Sequence, residues 1–313
     1  MSAAAEGIAP APGARDSLGG PSAQSMTATD GSPRTRSNPV SLAEAYEHCA
    51  RIAHSHYENF TVASWLMPRR MRPHMYAIYA YARIADDFAD EQVSLERLDE
   101  WEHELDLAYA GTSRHPVMIA IADTVRRYDI PREPFTDLLR AFRSDVDFKG
   151  FDTIDDLLEY ARYSANPVGR LVLYLFGYRD APRQQLADAV CSGLQLANFW
   201  QDVAIDLAKG RTYIPRLDLE RFGVTPQALR DKRVSPEFVA LMKHEIALAR
   251  EMLMSGQALS RMVDWRLRRD VLMFAGGGLA ILREIERVGY DVFYKRPKLT
   301  RWHYIILLLS ALR

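Results

Sequence analysis

Cysteine is nearly absent: 313 residues contain two, Cys49 and Cys191. A disulfide framework needs more, so the chain reads as a protein of a reducing cytoplasm. A charge excess is missing as well. Forty Lys and Arg face 41 Asp and Glu, a formal net charge of −1, which argues against nucleic acid as a partner, because phosphate backbones demand a basic surface. No apolar run reaches the ~20 residues that span a bilayer. No stretch shows two-residue alternation rich in β-branched side chains, so strands are not expected. The "AGGGLA" stretch around Gly276–Gly278 lacks both the preceding strand and the following Lys-Ser/Thr of a phosphate-cradling loop.

What remains is an ordinary globular composition, 48% hydrophobic and 26% charged. Residues 1–38 are built mostly of Ala, Gly, Pro, Ser and Thr and read as a disordered leader that cannot bury enough surface to offset its ordering entropy. At the other end, 298–313 reads as an apolar tail. Lys295, Arg296, Lys298 and Arg301 precede its run from Tyr304 to Leu312. That run is either a segment in peripheral membrane contact or a terminal stretch packed on the domain.

Between them, helical periodicity is nearly continuous. Ser41 with Glu44 forms a capping box, and Pro73 stands at a first-turn position. Further helices are expected at about 94–110, 116–128, 133–144, 153–176, 182–208, 225–230, 235–260 and 264–288. Pro167 should kink the helix at 153–176 by crowding the carbonyl of Tyr163. Gly276 to Gly278, inside a helix, cost roughly 1 kcal/mol each against alanine. They serve tight helix–helix approach or, with Ala165, Gly169, Gly193 and Ala197, leave room for a long cavity.

Two helices carry carboxylates where an apolar helix has no need of them. "RIADDFAD" sets Asp86 and Asp90 four residues apart, and "NFWQDVAID" sets Asn198, Asp202 and Asp206 at the same interval. That spacing puts each set on one helix face, where like charges repel. Oxygen donors without His or Cys point to Mg²⁺, which takes one or two carboxylates and fills its other positions with water and substrate phosphate. Two such faces describe a diphosphate clamp. Arg83, Lys209 and Arg211 stand close enough in sequence to meet the remaining phosphate charge.

At these residues the chain resembles the head-to-head prenyl synthases: squalene, dehydrosqualene and phytoene synthases. The resemblance covers about 41–297 and rests on "YAYARIADDFAD", "YARYSANPVGRL", "GLQLANFWQDVAIDLAKGRTYIP" and "ERVGYDVF". It implies one all-α domain, 39–297, folded as an isoprenoid-synthase helical bundle with a central cavity. It also implies that Asp86, Asp90, Asn198, Asp202 and Asp206 bind the metal. Arg83, Arg211 and His56 would then lie near the diphosphate, with Tyr79, Tyr160, Gln195, Tyr213 and Tyr290 around the reacting carbons. Where many members carry a Ser-x-Ser-Phe stretch, this chain has "HYENF", which resembles bacterial hydroxysqualene synthase of hopanoid biosynthesis. That likeness implies ionisation of presqualene diphosphate, made by a partner presqualene diphosphate synthase, followed by capture of water. Phe60 joins the aromatic residues suited to shielding a cation. Glu58, Asn59 and Asn166 are alternatives for placing the water. A condensing synthase acting on two prenyl diphosphates is the competing expectation.

Overall fold

The computed structural model describes residues 40–55 and 67–298, all of them within one unit of the chain, 39–313. The described residues form twelve α-helices, one 3₁₀ turn and no strand. Helix α1 (Leu42–Ser55) opens on the expected box: the Ser41 amide donates to Glu44 Oε2 (2.8 Å), and the Glu44 amide donates to Ser41 Oγ (3.3 Å). Helix α2 (Arg72–Asp90) carries proline in its first turn. Then come α3 (Leu95–Tyr109), α4 (Pro116–Tyr128) and α5 (Glu133–Val146). These helices share a core in which Tyr81 stacks on Trp101 and meets Phe135 edge-on.

The helix expected at 153–176 is two helices, α6 (Ile154–Ser164) and α7 (Asn166–Leu175), separated at Ala165. Pro167 therefore lies in the first turn of α7, where its missing N–H costs nothing, and it starts a helix instead of kinking one. Leu171 and Leu175 of α7 enter the first core, while Leu173 enters a second. That second core surrounds α8 (Ala181–Ala208), whose 28 residues extend roughly 42 Å at the usual rise.

Helix α8 packs against α7, α11 (Pro236–Gly256) and α12 (Trp265–Arg287). Between α8 and α11 lie α9 (Arg216–Arg221) and α10 (Pro226–Arg230). The first of these is too short to show periodicity and was not expected. The helix expected at 235–260 stops at Gly256 and continues as a 3₁₀ turn, Gln257–Arg261. Small residues serve close approach here: a Cβ on Gly193 or on Gly278 would sit 2.8 Å from the Leu253 side chain. Gly277, by contrast, faces open space among the described residues.

Helices α2 and α8 do not pack closely on each other, although α7 lies against both. The two acid-bearing helices thus flank a gap. No helix among the described residues is long and apolar enough to cross a membrane.

Candidate functional site

Steps of three and four residues bring Tyr79, Arg83, Asp86, Asp87 and Asp90 onto one face of α2, while Ile78, Tyr81, Ala85 and Phe88 are buried. On α8 the same steps align Gln195, Asn198, Asp202 and Asp206, with Leu196, Phe199, Trp200 and Val203 buried. Burial, with Asp90 beside it, pushes the Asp86 carboxyl up to about 6. Burial and the neighbouring Asp202 do the same to Asp206, again to about 6. On each face, one carboxyl is both buried and beside another carboxylate.

Cations within the chain compensate in part. Arg83 is paired with Asp86 Oδ2 at 3.2 Å and with Asp87 inside its own helix, and with Oε1 of the C-cap residue Glu91 at 3.5 Å. After α8 the chain reverses at Gly210, whose φ of +73° favours glycine. The Arg211 amide then donates to the Asp206 carbonyl at 2.8 Å. From this turn the Arg211 side chain crosses the gap: Nη1 donates to Asp90 Oδ1 (3.0 Å) and Nη2 to the backbone carbonyl of Asp145 (3.2 Å). Lys209 Nζ lies 3.8 Å from Asp90 Oδ2. A cation beside the second motif therefore binds the first.

Two residues at this site were not anticipated. Asp145, near the end of α5, accepts from the Tyr160 hydroxyl at 3.0 and 3.1 Å. Burial pushes its carboxyl up to about 7; Tyr160 and Arg211 pull it down, and Asp90 and Asp86 push it further up. No spacing signal marks Asp145, and only the fold brings it to the motifs. Arg296, read from sequence as part of a basic cluster before an apolar tail, instead grips Asp202. Its Nε donates to Oδ1 at 2.7 Å and its Nη2 to Oδ2 at 3.0 Å.

Beside the carboxylates stands an aromatic wall. Phe199 stacks on Tyr213, with ring centroids 3.8 Å apart and planes within 9°. Phe148 packs 5.1 Å from Tyr213, and Tyr160 lies 5.3 Å from Phe151. Further along α8, an apolar cavity of about 270 Å³ opens between α7, α8 and α12, lined by Gly169, Val172, Cys191, Leu194, Val271 and Phe274 among others. Asp270 also lines it; its Oδ1 is buried without a hydrogen-bond partner, and burial pushes its carboxyl up to about 7.

The sequence-derived residues divide accordingly. Tyr79, Arg83, Asp86, Asp90, Asn198, Asp202, Asp206 and Gln195 share the two motif faces, and Tyr160, Arg211 and Tyr213 join them through Asp145 and Asp90. Tyr290 adopts a positive φ of 64°, and its ring lies 5.8 Å from Lys243 Nζ. Asn166 is engaged elsewhere, accepting from the Ser192 hydroxyl at 2.8 Å between α7 and α8. His56, Glu58, Asn59 and Phe60, the leader and the tail from 299 onward lie outside the described residues.

Among the described residues, no three His, Cys, Asp or Glu side chains converge into a ready-made metal cluster. The chemistry of the donors still fits Mg²⁺. They are oxygens only, with Asp86 and Asp206 raised by burial and by a neighbouring carboxylate, and Mg²⁺ needs just one or two carboxylates where phosphate and water complete its shell.

Residues 53–303 match the family described as Squalene/phytoene synthase. The chain belongs to this family. Among squalene/phytoene synthase relatives, a phytoene synthase from Arthrospira platensis is 30% identical, covering 88% of this chain and 95% of its own length. A hydroxysqualene synthase from Sinorhizobium fredii is 36% identical, covering 72% of this chain and 80% of its own. The solved squalene synthase HpnC from Alicyclobacillus acidocaldarius superposes with a TM-score of 0.77 at 43% identity, covering 80% of this chain and 97% of that one. The all-α isoprenoid-synthase fold expected from sequence is thus the fold of this member of the squalene/phytoene synthase family.

Proposed function

We propose that the protein converts presqualene diphosphate and water to hydroxysqualene and diphosphate, with Mg²⁺, in squalene and hopanoid biosynthesis. The observation that carries this reading is the pair of carboxylate faces on α2 and α8, tied across their gap by Arg211, beside an aromatic wall and an apolar cavity. That arrangement suits a leaving anion at one end and a hydrocarbon at the other. An identity of 36% to a hydroxysqualene synthase, against 30% to a phytoene synthase, favours water capture over condensation.

Asp86, Asp90, Asn198, Asp202 and Asp206 would hold Mg²⁺. Bound there, Mg²⁺ would supply positive charge against the departing diphosphate. Arg83 and Arg211, already among these carboxylates, meet the phosphate charge that the site draws in. Tyr79 and Gln195, one to two turns before the acids, orient the substrate where diphosphate joins hydrocarbon. As the carbon–oxygen bond to diphosphate breaks, a cyclopropylcarbinyl cation remains. The faces of Tyr160, Phe199 and Tyr213 stabilise it without offering a nucleophile. Water then forms the new carbon–oxygen bond, and Asp145, near half-ionised at neutral pH, takes its proton. His56, Asn59 and Phe60 belong to the substrate end of this proposal. The substrate would come from a presqualene diphosphate synthase, and peripheral membrane contact would receive the largely apolar alcohol product of an otherwise cytoplasmic enzyme.

The test is product analysis with Mg²⁺ and without NADPH, offering farnesyl diphosphate or presqualene diphosphate. Hydroxysqualene from presqualene diphosphate alone is the expected outcome. A condensing synthase is the second reading, favoured by the match of the phytoene synthase to 88% of this chain. Presqualene diphosphate, dehydrosqualene or phytoene formed from prenyl diphosphates would establish it instead.

A further inference from the structure

The apolar cavity between α7, α8 and α12 has one discordant wall. Met75, Val172, Leu194, Leu267 and Val271 line it with hydrocarbon, and Asp270 lines it with a carboxyl. Asp270 is only 5% exposed, and its Oδ1 has no hydrogen-bond partner among the described residues. A buried carboxyl needs a polar partner in either protonation state. Val168 and Phe274, on the same lining, are 36% and 39% exposed, so the rim of the cavity meets solvent. Water entering there can serve as that partner.

Packing places Asp270 along the cavity. A Cβ on Gly278 would sit 3.0 Å from the Leu194 side chain, so those two residues are level. Arg183 Nε, near the start of α8, donates at 2.7 Å to the carbonyl of Met262, just before α12. The two helices therefore run in the same direction. Asp270 stands eight residues before Gly278, and Asn198 stands four after Leu194. That separates Asp270 from the level of Asn198 by roughly 18 Å along the helix axis. An extended isoprene unit measures roughly 5 Å. A chain of three units leaving the acidic motif stops short of Asp270, whereas a fourth unit reaches it.

We propose that Asp270 is a specificity-determining residue that limits the length of prenyl chain the cavity accepts, because a fourth isoprene unit strips water from its carboxyl and offers no hydrogen bond in return. The inference rests on the reading above, in which diphosphate sits at the acids and hydrocarbon in the cavity. The limit is one of polarity and not of depth. Leucine has the branching of aspartate and nearly its size, so the two causes can be separated.

The test is a competition in one tube, with Mg²⁺, between presqualene diphosphate and its homologue built from chains one isoprene unit longer. Product masses give the ratio of the two kcat/KM values. The parent should favour the shorter substrate about 10-fold or more, the scale of one hydrogen bond lost by a buried polar group. Asp270→Leu should lose most of that preference, and Asp270→Asn, still polar, should keep it. In the parent, the longer homologue with a hydroxyl at its tail should be used better than the plain one, because the hydroxyl replaces the lost water. That arm decides the matter if the leucine variant fails to fold. A parent indifferent to chain length, a folded Asp270→Leu variant with the parent's preference, or no gain from the hydroxyl would overturn the role of Asp270. A parent that converts neither presqualene substrate would instead overturn the hydroxysqualene reading. The same competition between farnesyl diphosphate and the diphosphate one unit longer would then decide the role of Asp270 by the same results.

Discussion

On α2, Arg83 offsets Asp86 and Asp87 from three and four residues away, whereas Asp90 receives Arg211, 121 residues along the chain, through one oxygen, with Lys209 nearby. On α8, Asp202 gives both oxygens to a guanidinium 94 residues further along the chain. Two sets of carboxylates with the same four-residue spacing are therefore held by different means. In the first, the Arg83 pairs are built into the helical frame, and an oxygen of Asp86 and of Asp90 stays outside its closest ion pair. The second depends on the arrival of a distant segment, and its central carboxylate is fully engaged. Spacing on a helix specifies where acids project, but the partners that decide their availability come from tertiary structure.

The largest effect should follow loss of either face. Asp86→Ala and Asp202→Ala are each expected to lower kcat/KM by about 10²- to 10³-fold, the usual cost of removing one element of an electrostatic site. Steady-state kinetics with presqualene diphosphate would measure both. Comparable losses mean the motifs share the load. A loss of only a few-fold in one of them would show that its carboxylate is structural and would end the comparison.

Asp145 lies between the two faces, and its removal should cost about 10²-fold in kcat, within the range for a positioned base. Its role is to accept a proton, so activity should rise with pH through about 7, the value to which its surroundings push it. Asp145→Asn should remove that limb of the pH–rate profile, and Tyr160→Phe should displace it. A profile unchanged in Asp145→Asn would assign the proton elsewhere. Arg211→Gln, which cuts the tie from the second motif's turn to Asp90, should act mainly on binding, raising KM about 10-fold as one charge-assisted contact is lost. An effect confined to kcat would mean that Arg211 acts only once diphosphate is leaving.

The all-α fold and the two acidic faces were legible because helical period and i,i+4 spacing are local properties. The capping box at Ser41 was read correctly for the same reason. Pro167 was misjudged because a proline within a periodic stretch looks alike whether it interrupts one helix or starts the next; the break at Ala165 is decided by packing. Arg216–Arg221 is shorter than two helical turns and left no pattern to find. Asp145 and Arg296 were missed for a deeper reason. Each is chemically unremarkable among its sequence neighbours, and each acquires its partner across 15 and 94 residues respectively. Tyr290, carried over by resemblance, has its ring 5.8 Å from Lys243 Nζ, a neighbour 47 residues earlier that no local pattern indicates.

The smallest expected effect is on stability, and it separates the motifs from the rest of the molecule. Asp86 and Asp206 are pushed up to about 6 and Asp145 to about 7, all above the usual carboxylate value of 3.8. A carboxyl whose pKa is higher folded than unfolded binds more protons in the native state over that window. Stability must therefore fall as pH rises from about 4 to 7. Chelated protein should melt a few degrees lower at pH 8 than at pH 5.5, and Mg²⁺ with diphosphate should recover part of the loss at pH 8 but little at pH 5.5. Two further carboxyls carry the same sign away from the motifs: Glu245, pushed up to about 8 by burial and then Asp218, and Asp270 in the apolar cavity, pushed up to about 7. Their share should persist with metal and diphosphate present and shrink in Glu245→Gln. Scanning calorimetry across pH in the two conditions would divide the slope. If Mg²⁺ and diphosphate recover none of it, the crowding of carboxylates on the two faces is not what metal relieves, and the donor set assigned to them is wrong.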